Sequence, residues 1–209
     1  MRKGGAFSLA GLAGAALRPA TEFGMLMGDP IFWGIGVPRG DGRPVMVLPG
    51  LFAGDAYLQP LRDWLGRAGY SPVRSGIDRN PGWSSELIEA LSQIALAEHQ
   101  RTRRRVTIIG HSMGGLQGRS VAARLPEVVR HVIALGSPLA LAQEQLPTAV
   151  RMTAIYSRED EIVRYPASLA RDPRAKNLKV PGSHIGLAFN PAVYRLLARA
   201  LGAPDFETV

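Results

Sequence analysis

From Val45 onward the chain alternates short apolar runs with stretches whose apolar residues recur at helical spacing. Val45-Met46-Val47-Leu48 is an unbroken apolar run stopped by Pro49-Gly50, the pattern of a strand covered on both faces. Between about Ala56 and Ala68, the residues Leu58, Leu61, Leu65 and Ala68 share one helical face, and Gly69 ends the stretch. Tyr70 to Arg74 predicts a short strand, and Arg79-Asn80-Pro81-Gly82 a loop. Ser84 is a natural N-cap for a helix with an apolar stripe of Leu87, Ile88, Leu91, Ile94 and Ala95. Strand Val106 to Ile109 runs directly into Gly110-His111-Ser112-Met113-Gly114-Gly115, from which a helix is expected to about Leu125. Further strands are expected at Val128–Leu135, Ala154–Tyr156 and Leu178–Val180. Asn190 then caps a last helix, with Pro191 in its first turn and Val193, Leu196, Leu197, Ala200 and Leu201 facing inward. Strands alternating with helices in this way predict an α/β architecture: a mostly parallel sheet of about six strands flanked by helices.

The 209 residues suffice for one domain with a single sizeable core. Apolar residues at 46% against charged residues at 20% place the chain among folded globular proteins. No apolar run reaches the length of a bilayer span. Lys and Arg exceed Asp and Glu by 25 to 17, a formal charge of +8. The densest basic stretch, Arg101 with Arg103, Arg104 and Arg105, reads as the end of a helix, where cations offset the negative end of the dipole. No aromatic residues interleave with these arginines as stacking platforms, so a nucleic-acid partner is not expected. There is no cysteine, which excludes disulfides, thiolate nucleophiles and cysteine metal sites. Met1-Arg2-Lys3 and the Ala, Gly and Leu-rich stretch up to Leu17 have the outline of a secretory or membrane-associating segment. Its many glycines favour a weak helix or a frayed tail, and cytoplasmic residence over secretion. Residues 1–39 are therefore read as an N-terminal segment and 40–209 as the globular domain.

Gly110-x-Ser112-x-Gly114 between a strand and a helix fits a nucleophile elbow, a tight turn that lifts a serine hydroxyl clear of the sheet. A larger side chain at either glycine would collide with neighbouring backbone. The helix that follows points its N-terminus at the reacting centre, where negative charge develops. A serine nucleophile needs a base and the base an orienting acid, in the chain order Ser, acid, His. Of four histidines, His184, flanked by Gly182 and Gly186, lies well beyond Ser112 in a loop after the last expected strand and is the expected base. His111 sits inside the elbow, its ring beside the strand. His131 begins a strand and His99 ends a helix. Ser157-Arg158-Glu159-Asp160-Glu161 follows the strand through Tyr156 and supplies the acid, taken as Asp160, with Glu159 and Glu161 as alternatives expected to face water. Asp172 has no strand before it. Backbone N–H groups of Met113 and of Leu51, in the loop Pro49-Gly50-Leu51-Phe52, are the expected oxyanion donors. Phe52 and His111 are expected to line the substrate pocket, and neither a metal nor a cofactor is required.

With these residues in place the chain resembles the α/β-hydrolase superfamily, and more closely a group of bacterial esterase- or lipase-like serine hydrolases. The resemblance runs from about Gly40 to Leu201 through GDGRPVMVLPGLFAGD (40–55), RNPG (79–82), GHSMGG (110–115), LGSP (135–138), YSREDEIV (156–163) and GSHIGLAFNP (182–191). It implies an oxyanion loop in the first motif, the nucleophile in the third, and acid and base in the last two, carried onto Ser112, Asp160 and His184. Glu161 stands where such motifs often have glycine. The span from Pro138 to Arg151, where a lid commonly enters, is too short for a separate cap, so little or no lid is expected. The function this implies is cleavage of a small-molecule or lipid-like ester, with apolar Leu51, Phe52 and Met113 favouring a short-to-medium acyl group. An acyltransferase or thioesterase would use the same triad. A non-catalytic binding protein of this fold, meeting a membrane surface through its basic patch, is the alternative of another class.

Overall fold

Successive strand residues point to opposite faces, so unbroken apolar runs require cover on both sides of a sheet. The computed structural model, which describes residues 17–142 and 145–202, supplies that cover. Six parallel strands, β1 (Pro44–Leu48), β2 (Ser71–Arg74), β3 (Val106–His111), β4 (Val129–Leu135), β5 (Arg151–Tyr156) and β6 (Lys176–Lys179), lie in the order β2-β1-β3-β4-β5-β6. The helices are α1 (Leu17–Gly28), α2 (Gln59–Arg67), α3 (Ser85–Thr102), α4 (Met113–Arg124) and α5 (Pro191–Gly202). Val45, Val47, Ile109, Ile133 and Ile155 join one core with Leu26 of α1, Trp64 of α2 and Tyr194 and Leu197 of α5. Met46, Leu48, Ile108, Val132 and Ala154 join the other, with Ile88 and Leu91 of α3 and Val121 of α4. Beyond β1 the chain moves to one side of the sheet, and from β3 onward to the other. The loops after β1 and β3 therefore part at the carboxyl ends of the strands, the crevice where open α/β sheets bind ligands.

The caps form as their residue types dictate: Ser84 Oγ accepts the Leu87 N–H at 3.2 Å, and Asn190 Oδ1 the Ala192 N–H at 2.8 Å. Three details differ from the sequence reading. The helix expected from Ala56 opens as a 3-10 turn, Asp55–Leu58, before α2. The last strand is Lys176–Lys179 rather than 178–180; as an edge strand it is mostly exposed and carries little apolar signature. Of the basic run, Arg101 pairs with Glu98 in the last turn of α3 and Arg103 is its left-handed cap (φ 56°). Arg104 instead pairs with Asp41, and Arg105 Nη2 donates to the carbonyls of Pro126, Val129 and Ala149.

Part of the segment before residue 40 packs against the sheet domain. Leu26, Ile31 and Phe32 are buried in the same core as α2 and α5, and Trp64 Nε1 donates to the Ile31 carbonyl at 2.8 Å. The signal-like stretch up to residue 16 lies outside the described residues. Between β4 and β5 the described residues hold one 3-10 turn, Leu139–Leu141. Among the described residues no helix is long and apolar enough to cross a membrane.

Candidate active site

β3 ends at His111, α4 begins at Met113, and the single residue between them turns the chain: Ser112 has φ 52° and ψ −122°. A side chain with a Cβ holds such a conformation only at a cost of about 1–3 kcal/mol, which the surrounding structure must impose. It does so through close contacts that only glycines permit. A Cβ on Gly110 would overlap the Gly114 carbonyl, and one on Gly114 the Leu48 carbonyl. Ser112 N–H donates to the Leu135 carbonyl at 2.8 Å, fixing the turn against β4. Met113, as the first residue of α4, has an N–H with no acceptor inside the helix.

Asp160 follows β5, and its two oxygens have separate tasks. Oδ1 accepts the N–H groups of Ile162 (3.0 Å) and Val163 (2.7 Å), while Oδ2 lies 2.8 Å from His184 Nδ1. Both side chains are buried. Gly136 makes room for the pair: a Cβ there would stand 2.9 Å from Asp160 Oδ2 and 3.3 Å from His184 Nδ1. The neighbouring carboxylates go elsewhere. Glu159 is exposed and pairs with Arg18 at 2.7 Å. Glu161, expected to face water, turns inward, because the turn that Asp160 Oδ1 holds points it at the next loop. Its Oε2 accepts the His184 N–H at 3.2 Å, and its Oε1 is buried. Asp172 is held by Arg174 at 2.6 Å.

His111 is buried with its ring between Tyr57 and His184, at centroid distances of 5.6 and 4.9 Å. Burial, and secondarily the nearby His184, push its pKa down to about 3, so the ring is neutral. Its Nε2 is 2.9 Å from the His184 carbonyl, and a neutral ring donating there leaves Nδ1 as the acceptor. The loop after β1 approaches from the other side: a Cβ on Gly50 would lie 3.1 Å from Ser112 Cβ and 3.2 Å from His111 Nδ1. Leu51 follows Gly50 in this loop. Phe52 (φ 62°) commits its N–H to the Asn80 carbonyl at 2.9 Å and turns its ring outward, 66% exposed, with the Arg79 guanidinium 5.6 Å from its centre.

Several supporting residues escaped the sequence reading. Asn80, fully buried, donates to the Pro49 carbonyl (2.8 Å) and exchanges hydrogen bonds with Gln117 of α4, both at 2.9 Å. That amide pair ties the loop after β1 to the helix that opens at Met113. Tyr57 donates to the Ile185 carbonyl at 2.9 Å, holding the loop of His184 from below. Asp55, buried, accepts Ser75 Oγ at 2.8 Å and the Gly76 N–H at 3.0 Å, with Arg62 Nη1 at 3.6 Å. Each sits in or beside a quoted motif, but only RNPG carried a visible signal, and that signal was a turn. Among the described residues no group of three or more His, Asp or Glu is placed to hold a metal ion.

A parallel sheet with a strained serine between strand and helix, and an Asp–His pair on the loops beyond later strands, defines the α/β-hydrolase class. Known proteins agree. The PGAP1-like alpha/beta domain family matches residues 83–184. A triacylglycerol lipase of Pseudomonas fragi is 32% identical over 103 residues, 46% of this chain and 34% of the lipase, so the matched part is about a third of that relative's length. Aspergillus fumigatus lipase B superposes with a TM-score of 0.62 at 17% identity, over 83% of this chain and 54% of that one. A Bacillus licheniformis lipase in its mature form gives 0.61 at 14% identity, over 79% and 94%. The chain has the α/β-hydrolase fold, and its residues 83–184 are similar to the PGAP1-like alpha/beta domain family.

Proposed function

We propose that this protein is a serine hydrolase of carboxylic esters, working through an acyl-enzyme on Ser112. The observation that carries the reading is the buried Asp160–His184 pair at 2.8 Å, on loops that flank a serine held at φ 52°. With Asp160 Oδ2 accepting the Nδ1–H, His184 presents Nε2 as a proton acceptor. Ser112 Oγ attacks the ester carbonyl and its proton passes to Nε2. The carbonyl electron pair moves onto oxygen, in reach of the Leu51 and Met113 N–H groups, where preorganised donors contribute several kcal/mol. Collapse of this adduct breaks the bond to the alcohol, which leaves with the proton from Nε2. Water then repeats the sequence on the acyl-enzyme: His184 takes its proton, the acid departs, and Ser112 recovers its hydrogen.

Leu51 and Met113, next in sequence to Gly50 and Ser112, offer apolar side chains to the acyl group and favour a short-to-medium chain, whereas Phe52, expected to line the pocket, turns its ring outward. The Pseudomonas fragi relative is a triacylglycerol lipase, which supports an ester of lipid type. The test is hydrolysis of a chain-length series of p-nitrophenyl esters by the wild type and by Ser112→Ala. The variant is expected to melt at the wild-type temperature and to lose turnover; undiminished hydrolysis by it refutes the scheme. A series in which no short or medium ester is cleaved refutes the acyl preference.

A further inference from the structure

His184 Nδ1 is tied to Asp160, but where the imidazole stands also depends on the backbone that carries it. That backbone is gripped from four directions. Glu161 accepts the His184 N–H, His111 lies on the His184 carbonyl, and Tyr57 donates to the Ile185 carbonyl. The fourth grip comes from α1, far away in sequence. Glu22 Oε1 accepts the Ser183 N–H at 2.8 Å and Oε2 accepts the Ser183 hydroxyl at 2.5 Å, while Ser183 Oγ in turn accepts the Gly186 N–H at 3.1 Å. Ser183 is fully buried.

The two glycines that flank His184 acquire a reason here. A Cβ on Gly186 would overlap the Glu22 carboxylate, and one on Gly182, whose φ is 135°, would lie 3.0 Å from Glu22 Oε1. Both are open positions through which the carboxylate reaches the loop. The helix that carries Glu22 is itself anchored. Leu26 is buried, and Phe23 meets Phe189 edge to face at 5.4 Å.

Resting on the reading of His184 as general base, we propose that Glu22 is a positioning residue: its carboxylate, through Ser183 and Gly186, holds the loop so that the imidazole stays aligned for proton transfer. A merely structural Glu22 would change how many molecules are folded, whereas a positioning Glu22 changes how fast each folded molecule reacts. A displacement of the order of 1 Å in a reacting group costs about a hundredfold in rate.

The experiment compares wild type, Glu22→Gln and Arg18→Gln by steady-state hydrolysis of a p-nitrophenyl ester, thermal unfolding, and the rate and final extent of fluorophosphonate labelling. Glu22→Gln keeps the size of the side chain but presents only one acceptor oxygen to two donors. Its kcat is expected to fall at least tenfold with KM within twofold, and its labelling to slow at least tenfold while still reaching one adduct per chain. Arg18→Gln, which breaks an exposed pair, should keep kcat within twofold. Wild-type kcat and labelling rate in folded Glu22→Gln overturn the proposal, as does a reduced final extent at an unchanged rate. Should Glu22→Gln not fold, Ser183→Ala takes its place, and an unchanged kcat there overturns the proposal equally. A wild type that neither cleaves ester nor takes up the probe overturns the hydrolase reading itself, and so is distinct from failure of the Glu22 proposal alone.

Discussion

Ser112 holds a left-handed backbone because two glycines, Gly110 and Gly114, let the strand and helix close on it, and because its N–H is fixed to Leu135. Asp160 and Glu161 are adjacent carboxylates with different partners, one on the imidazole of His184 and the other on its backbone. Asp160→Asn is therefore expected to lower kcat by about a thousandfold or more with little change in melting temperature, since an amide no longer holds the imidazole in the right tautomer. Glu161→Gln keeps an acceptor for the His184 N–H, and steady-state kinetics should show a loss within about tenfold, the cost of one weakened hydrogen bond. The positions of the candidate residues Ser112, Asp160 and His184 were legible because each was sought at a fixed place beyond a strand end. Asn80 and Gln117 were not. Their bond joins residues 37 apart in sequence, and a buried amide pair leaves no periodic trace. The inward turn of Glu161 escaped for a related reason: a charged residue in a loop reads as solvated until the loop facing it is known.

Elements covered on both sides announced themselves. β1 and β3 are unbroken apolar runs, and α3 carries its cap and its stripe together. Replacing that cap, Ser84→Ala, should cost about 1 kcal/mol in denaturant unfolding, by leaving the Leu87 N–H without its acceptor. β6 was misplaced because it lies at the sheet edge with mostly exposed residues, so its pairing with β5 is made by backbone and not by an apolar pattern. The part of α1 that matters was hidden by the stretch before it, whose Gly and Ala content suggested a tail. Leu26 is fully buried against the core, and Leu26→Ala should cost about 2–5 kcal/mol, measured by the same unfolding experiment. A loss below about 0.5 kcal/mol would show that α1 is only loosely docked.

At the scale of the molecule, two cores clamp the sheet from opposite faces, and the change of direction between β1 and β3 falls at the strand ends where the candidate site stands. The same burial makes stability depend on pH. His111 and His131 are buried and pushed down to about 3, by burial first and then by His184 for the one and by Arg151, Arg130 and Lys176 for the other. An unfolded histidine titrates near about 6.5. Below that pH the unfolded chain takes up protons that the folded chain refuses. The contribution of these neutral rings is thus complete above about 6.5 and is lost progressively as pH falls toward 3. Between about pH 7 and 5, above the ordinary carboxylate range, each ring should remove roughly 2 kcal/mol of unfolding free energy. Urea unfolding at both pH values checks this, and His131→Gln should remove about half of the difference. The central claim is the nucleophile, and the most direct test is the site of covalent reaction. After treatment with a fluorophosphonate, intact mass and peptide mapping should show one adduct per chain, on Ser112, and none on Ser112→Ala. A chain that stays unmodified, or is modified elsewhere with Ser112 free, would contradict it.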